Sequence, residues 1–287
     1  MGLPLSFDML LSFKHIIGLL CWKEEMFVQT ERIHKLSYVN ADLPGFLHHL
    51  EHSYINRRVG AYIATVNPEI GYAAAKDSSY CNVLSSADFI LPDGIGVVMM
   101  SKLTNSRLKS RIAGYDVFIN LLKIANDKKK RVFLYGAKKE VNQAVVDRIS
   151  SEYPNISVVG YSDGYAKDKE AVAKRIAKAK PDMVFVALGY PHQERFIYEY
   201  KHLFPQAIAI GLGGSFDVFS GTVKRAPGWL IRLNLEWLYR LVTNPSRWKR
   251  MINIPKYAFT VLKEERVQKQ SYYPEQVKEP QNKSMHS

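Results

Sequence analysis

The sequence has few of the residues and motifs that define several common protein classes. It contains only two cysteines, Cys21 and Cys81, in no CxxC pair, so a disulfide scaffold and a cysteine zinc site are excluded and a reducing compartment fits best. The most apolar N-terminal stretch, residues 10–22, is 13 residues long and includes Lys14 and His15, which makes it too short for a transmembrane helix. No P-loop lysine follows a glycine run, and no GxGxxG follows the first apolar run.

Acidic residues are also scarce relative to basic ones. The 287 residues include 40 Lys and Arg against 27 Asp and Glu, which gives a formal net charge of +13. Such an excess is typical of proteins that bind nucleic acid, phosphate-rich ligands or an anionic membrane. The hydrophobic share of 47% is that of a globular chain able to bury a large core.

Short apolar runs alternate with amphipathic segments between residues 60 and 211. The apolar runs predict buried parallel strands at 61–66, 87–91, 131–135, 156–159, 183–188 and 207–210. The amphipathic segments predict helices at about 68–77, 94–103, 115–127, 138–152, 168–180 and 192–203. This alternation predicts an α/β fold with a Rossmann-like open, mostly parallel sheet and helices on both faces.

Four regions of the chain differ in composition. Residues 1–39 are interpreted as a leader whose apolar stretch forms a helix, either packed on the domain or lying at a lipid interface. Residues 40–221 form the α/β core, which begins with a helix at about 42–57. Residues 222–263 are aromatic and basic and predict a helical appendage, and the polar residues 264–287 predict a disordered tail.

Polar residues and glycines follow five of the six predicted strands. Ligands of open α/β sheets bind beyond the carboxyl ends of the strands, so these segments predict one common site. They are residues 65–68, 91–96, 135–137, 189–194 and 211–217. Glycines at such turns let backbone N–H groups approach phosphate oxygens, although any one of the turns is equally typical of a tight loop.

Six segments resemble the WecG/TagA/CpsF glycosyltransferases, glycosyltransferase family 26. They are TVNPE (65–69), LPDGIGVV (91–98), RIAGYD (111–116), ALGYPHQERFI (187–197), GGSFDVFSGTVKRAPGW (213–229) and LEWLYRLVTNPSRWKR (235–250), and they occur in the same order over residues 40–255. The resemblance implies an inverting enzyme that moves a hexose from a UDP-sugar to a polyprenyl-diphosphate-linked sugar during synthesis of bacterial surface polysaccharides. N-acetylmannosamine, its uronic acid, glucose and galactose all occur among such enzymes. The resemblance also implies catalysis without a cofactor or a DxD metal motif, and no two aspartates have that spacing here.

The resemblance assigns roles to residues at the first, second and fifth strand ends. Asp93 is the expected base that accepts the proton of the acceptor hydroxyl. Thr65 completes the catalytic pair by positioning the substrate, because a hydroxyl is not a strong base at neutral pH. Asn67 contacts sugar hydroxyls or caps a helix, and capping is the alternative for Asp93 too. Gln193 is expected to bind the donor, whereas the adjacent His192 departs from the Lys or Arg common in the family.

Further substrate contacts are assigned at the third and sixth strand ends. Tyr135, followed by Gly136, is expected to stack on the uracil, with packing in the aromatic core as the alternative. Gly213 and Gly214 are expected to bring backbone N–H groups to the donor phosphates. Asp217 is assigned to a ribose or sugar hydroxyl.

The appendage combines nine basic residues with one acidic residue and six aromatic ones. The planar arginine fork suits a diphosphate, and basic and aromatic side chains together favour an anionic membrane surface. The arginines of the appendage assigned to diphosphate or acceptor recognition are Arg225, Arg240, Arg247 and Arg250. Arg111 of the core is assigned the same role, with a solvated surface arginine as the alternative. The predicted location is therefore cytoplasmic, peripheral on the inner face of the cell membrane. A basic helix pair packed on the domain is the alternative, and no nucleic-acid partner is expected because no nucleic-acid module accompanies the patch.

Two other function classes remain open at this point. One is a non-catalytic UDP-sugar-binding scaffold of a polysaccharide assembly complex, which has no need of a carboxylate such as Asp93 beside the donor. The other is a Rossmann-type oxidoreductase, against which the missing dinucleotide fingerprint counts. The oligomeric state is open, and a homo-oligomer is compatible with the sequence.

Overall fold

The computed structural model describes residues 28–244, 248 and 252–272, with side chains as far as residue 264. The strands are β1 (Thr30–Ile33), β2 (Leu36–Val39), β3 (Ala61–Val66), β4 (Phe89–Pro92), β5 (Arg131–Gly136), β6 (Ser157–Ser162), β7 (Met183–Ala187) and β8 (Ile208–Gly211). The helices of the first half are α1 (Leu43–Leu50, continued by a π-helical turn Glu51–Ile55), α2 (Pro68–Lys76), α3 (Ser78–Ser85), α4 (Ile95–Leu103) and α5 (Gly114–Asp127). Those of the second half are α6 (Lys139–Glu152), α7 (Lys169–Ala179), α8 (His192–Tyr200, followed by a 3₁₀ turn Lys201–Leu203), α9 (Ser215–Phe219), α10 (Gly228–Arg232), α11 (Glu236–Thr243) and α12 (Asn253–Tyr272).

The main sheet has six strands in the order β4-β3-β8-β7-β5-β6, and every neighbouring pair is parallel. All carboxyl ends of the strands therefore point to one edge of the sheet. The register places Thr65 of β3 beside Leu91 of β4, and Val186 of β7 beside Gly211 of β8. The predicted α/β fold with helices on both faces is confirmed.

The central strands are apolar on both sides because helices cover both faces of the sheet. Side chains alternate between the faces along each strand. Ala64 and Val66 of β3 belong to a core shared with α2, α3, α7 and α8, whereas Ile63 belongs to a core shared with α1, α5 and α6. The six residues of β3 are all buried, which is why the strand appears as a continuous apolar run in the sequence.

The N-terminal boundary differs from the predicted leader of residues 1–39. Residues 30–39 form an antiparallel hairpin of β1 and β2, and β2 lies close to β4. Ile33 and Tyr38 are fully buried, so the hairpin belongs to the folded core. In β2, the exposed Ser37 lies between the buried Leu36 and Tyr38, as in a strand with one face on the core, whereas β1 buries only Ile33. The apolar stretch at 10–22 lies outside the described residues.

The C-terminal boundary also differs from the prediction, because α12 continues through the predicted start of the disordered tail at residue 264. Tyr257 and Val261 of α12 are buried in the core that includes α2. The two helices approach closely at Gly71, where a Cβ atom would lie 2.6 Å from Cζ of Tyr257. The described part of the appendage is thus anchored to the core through α12.

The Gly71→Ala substitution is expected to destabilise the protein by about 1–3 kcal/mol, because the added methyl group meets the buried Tyr257 ring. Helix propensity alone would stabilise it by about 1 kcal/mol, so the sign separates the two effects. Urea unfolding measures the free energy, and hydrogen exchange over residues 253–264 reports the docking of α12. The Gly71→Ala/Tyr257→Ala double variant serves as the control, because Tyr257→Ala removes the ring that the added methyl group meets, so the two changes should be non-additive. A more stable Gly71→Ala protein would contradict the close packing.

Candidate active site

A cleft of about 740 Å³ opens at the carboxyl ends of β3, β4, β7 and β8. Its walls come from the turns after these strands and from α4, α11 and the start of α12. This is the edge of a parallel sheet where ligands bind. The sequence-predicted residues that line the cleft are Thr65, Asn67, Asp93, Arg111, Gln193, Gly213, Gly214 and Arg240.

Asp93 stands directly after β4 and is partly exposed to the cleft. Its backbone N–H donates to the carbonyl of Val66 at 3.0 Å, which fixes the turn between neighbouring strand ends. The N-cap of α4 is Gly94, with a φ of 96° and no side-chain capping bond, so Asp93 does not serve as the cap. The carboxylate therefore does not cap α4, and the residue lines the cleft.

Burial raises the pKa of Asp93 to about 6, although Arg240 and Arg111 favour its ionised form and Glu236 opposes them. The N–H of Gly114 also favours the ionised form. A carboxyl group with this pKa is mostly ionised at neutral pH, yet it binds a proton far more readily than an ordinary aspartate. These are the properties that general base catalysis requires.

Thr65 and Asn67 organise the end of β3. The hydroxyl of Thr65 donates to the carbonyl of Gly211 at 2.9 Å and is buried, so it joins the ends of β3 and β8. Oδ1 of Asn67 accepts from the N–H of Ile70 at 3.0 Å and caps α2, which confirms the capping alternative. Within the described residues, the amide nitrogen of Asn67 has no recorded hydrogen-bond partner, and the residue lines the cleft.

Gln193 acts inside the protein, since only 2% of the residue is exposed. Its Oε1 accepts from the N–H of Gly213 at 2.8 Å, and its Nε2 donates to the buried Glu194 at 2.7 Å. A Cβ atom on Gly211 would lie 2.8 Å from Nε2, so the glycine permits this close approach. Gln193 thus holds the turn of Gly213, and His192 beside it is exposed and outside the cleft lining.

An arginine–glutamate cluster forms one wall of the cleft. Glu236 is 8% exposed, and it pairs with Nη1 of Arg111 at 3.4 Å and with Nη2 of Arg240. Burial opposes ionisation of Glu236, but the attraction of Arg240, Arg225 and Arg111 prevails and lowers its pKa. The cluster carries more positive than negative charge beside Asp93. The role of Glu236 was not predicted, although it is the one acidic residue in an otherwise basic segment.

Tyr135 does not have the predicted access to a ligand. Its side chain is fully buried, and its ring packs against Phe196 with centroids 4.8 Å apart. The proposed stacking on uracil is therefore corrected to packing in the aromatic core. Gly136 after it has a φ of 130° and lies against the backbone of Ala187, where a Cβ atom would lie 2.3 Å from the carbonyl oxygen.

Asp217 and Arg225 lie outside the lining of the cleft. Asp217 is half-buried on α9, and burial raises its pKa. Arg225 pairs with Asp116 at 2.5 Å and lies over the ring of Tyr115 at 4.4 Å, so it braces the start of the appendage against α5. The two remaining predicted arginines, Arg247 and Arg250, lie outside the described residues.

Comparison with known proteins decides the family. The family model for the glycosyl transferase WecG/TagA/CpsF family matches residues 32–271, which include the hairpin strand β2 and nearly all of α12. The chain belongs to this family. The predicted family and the prediction of a glycosyltransferase are confirmed.

Several curated proteins resemble this WecG/TagA/CpsF member, and the three described here are each named N-acetylglucosaminyldiphosphoundecaprenol N-acetyl-beta-D-mannosaminyltransferase. The protein of Bacillus subtilis (strain 168) is 68% identical over 252 residues, which cover 88% of this chain and 98% of the relative. The protein of Bacillus spizizenii is 58% identical over the same coverage. The protein of Staphylococcus aureus (strain MRSA252) is 37% identical over 71% of this chain and 81% of its own.

Among the described helices of this family member, none combines the length and the apolar character needed to cross a bilayer.

Proposed function

We propose that this enzyme transfers N-acetylmannosamine from UDP-N-acetylmannosamine to the sugar of an N-acetylglucosaminyl-diphosphate-polyprenol. The observation that carries the proposal is Asp93, a strand-end carboxylate whose pKa of about 6 suits a base, in one cleft with Arg111 and Arg240. The names of the relatives supply the sugar and the acceptor, and the 68% identity extends over 98% of one of them. The UDP donor is the one that membership of the family implies.

The cleft supports a single displacement at the sugar. The acceptor hydroxyl oxygen forms a bond to the anomeric carbon as the bond from that carbon to the donor phosphate oxygen breaks. Asp93 takes the hydroxyl proton, and UDP departs with the bonding electrons. Attack from the face opposite the leaving group inverts the configuration at the carbon.

The arginines stabilise the diphosphate charge in this mechanism. Arg111 and Arg240 are held by Glu236, so their guanidinium groups are already in place before a substrate arrives. Donors positioned in advance lower the energy of a charged transition state without reorganisation. The turn of Gly213, fixed by Gln193, offers backbone N–H groups on the other side of the cleft.

A peripheral position on the inner face of the membrane forms part of the proposal. Trp229 on α10, Leu233 just after it and Val242 on α11 are 56%, 61% and 71% exposed. Aromatic and apolar side chains of this kind, among basic residues, favour the headgroup layer of an anionic bilayer. The diphosphate and sugar of a polyprenol-linked acceptor lie in that layer, so the enzyme would meet its substrate there.

The test incubates the purified protein with a panel of UDP-sugars and a lipid-diphosphate-linked N-acetylglucosamine in detergent, and follows UDP release and product mass. Acceptor-dependent release from UDP-N-acetylmannosamine alone is expected. Release from another UDP-sugar would change the donor in the proposal. UDP binding without release from any donor would favour the scaffold alternative, for which the position of Asp93 has no explanation.

A further inference from the structure

An apolar stripe on α4 leads away from the candidate base. Ile95, Met99 and Leu103 are spaced by four residues and so share one face of the helix. Ile95 and Met99 line the cleft, while Met99 and Leu103 are 59% and 54% exposed. The helix is anchored to the core by other residues, Val97 and Val98. Ile95 also packs against the core, whereas Met99 and Leu103 are not part of it within the described part of the chain.

The apolar stripe runs from the neighbourhood of Asp93 toward the surface of the protein. It begins one residue after the Gly94 turn that follows Asp93, and at 1.5 Å per residue it extends about 12 Å outward to Leu103. The facing wall of the cleft is also apolar, since Trp237 of α11 and Ile254 of α12 line it. Together these side chains form a groove, which we name the α4–α12 groove, from the base to the surface.

Basic residues lie near both ends of the groove. Its inner end holds the paired Arg111 and Arg240. Residues 94–115, which include α4 and the loop after it, contain no Asp or Glu, and Lys102, next to Leu103 in the sequence, is exposed. The groove thus suits a ligand with an anionic group at one end of an apolar chain.

We infer that the α4–α12 groove binds the first isoprenoid units of the polyprenyl-diphosphate acceptor. The inference rests on the proposed function, because a lipid joined covalently to a diphosphate must leave the cleft from the place where the diphosphate binds. A UDP-sugar is polar and gains nothing from an apolar wall, whereas an isoprenoid chain is driven into one by the release of water. The groove continues the acceptor site out to the surface of the protein.

Direct binding tests the inference without a need for turnover. Farnesyl diphosphate and inorganic diphosphate are titrated into the full-length protein, and Trp237 in the groove wall reports binding by its fluorescence. Wild type is expected to bind farnesyl diphosphate at least about tenfold more tightly, and the Met99→Gln/Leu103→Gln variant should lose most of this preference. The matched control is Val59→Gln, an exposed apolar residue before β3 at the opposite edge of the sheet. Equal affinities of wild type for the two ligands would overturn the inference.

Kinetics separate the groove from other uses of the same surface. N-acetylglucosaminyl-diphosphate acceptors with a farnesyl or a methyl group are compared below the concentration at which micelles form. The double variant should raise the ratio of the two KM values, farnesyl over methyl, about tenfold, and Met99→Leu should keep the wild-type ratio. An unchanged ratio overturns the inference. In that case, loss of vesicle binding by the variant would identify the surface as a membrane contact, and a change in its sedimentation would identify it as a dimer interface. If wild type uses neither acceptor, the proposed function fails while the farnesyl diphosphate titration still decides the groove.

Discussion

Replacement of Asp93 by asparagine is expected to lower turnover by about 10²–10⁴-fold in a protein that still folds. The amide has the size of the carboxylate but cannot take the proton of the acceptor hydroxyl. Asp147→Asn, an exposed change on α6, is the control and should keep full turnover. Turnover of the Asp93→Asn protein at the wild-type rate would remove Asp93 from the role of base.

The same substitution should leave the protein as stable as wild type at pH 7 or more stable. Burial raises the folded-state pKa of Asp93 from 3.8 to about 6, so the folded protein holds this proton more tightly than the unfolded chain. The contribution of this tighter proton binding to the free energy of unfolding is fully present below about pH 4 and is lost as the pH rises through 6. Asparagine avoids the cost of the buried charge, so a gain of up to about 2 kcal/mol is expected at pH 7 and little at pH 4. Urea unfolding at the two pH values measures it, and a strongly destabilised variant at pH 7 would show that the carboxylate supports the fold.

The parallel sheet could be predicted because its central strands are buried on both faces. Continuous apolar runs such as residues 61–66 and 183–188 identify strands without any knowledge of their partners. The hairpin of β1 and β2 could not be found in this way, because its four-residue strands are stabilised by contact with β4, far away in sequence. The helix α3 was missed for a local reason, since it begins directly after α2 at Asp77, whose side chain caps it. The signal was the Asp-Ser-Ser turn at that point.

The site could be predicted as a place but not in its internal contacts. Topology alone brings the ends of β3, β4, β7 and β8 together, and Thr65, Asp93 and Gln193 do line one cleft. Tyr135 follows the same rule but points into the core, because side chains alternate along a strand whose faces are both covered. The pairing of Glu236 with Arg240 is local to α11, but its pairing with Arg111, 125 residues away in the sequence, depends on how the appendage docks. A motif in one sequence does not contain that information.

Removal of the Arg240 charge is expected to reduce kcat/KM by about 10²-fold and to move the acid limb of the pH profile upward. The loss follows from one missing donor to the diphosphate. The limb of kcat/KM reports the base of the free enzyme, which is Asp93, so wild type should lose activity as the pH falls through about 6. Arg240 favours the ionised form of Asp93, so without it the pKa rises and more of the base is protonated at a given pH.

The Glu236→Gln substitution should move the same limb in the opposite direction. Glu236 disfavours a second negative charge nearby, so its neutralisation lowers the pKa of Asp93 and keeps the base ionised at lower pH. The protein should be less stable, because the partly buried Arg111 and Arg240 lose their partner. Arg232→Gln, an exposed change in the appendage outside the cleft lining, controls for net charge and should leave the limb in place. Opposite shifts of the acid limb in the two variants require that Arg240 and Glu236 both act on the titrating base from nearby. Shifts of the same sign would show that the base is a residue other than Asp93.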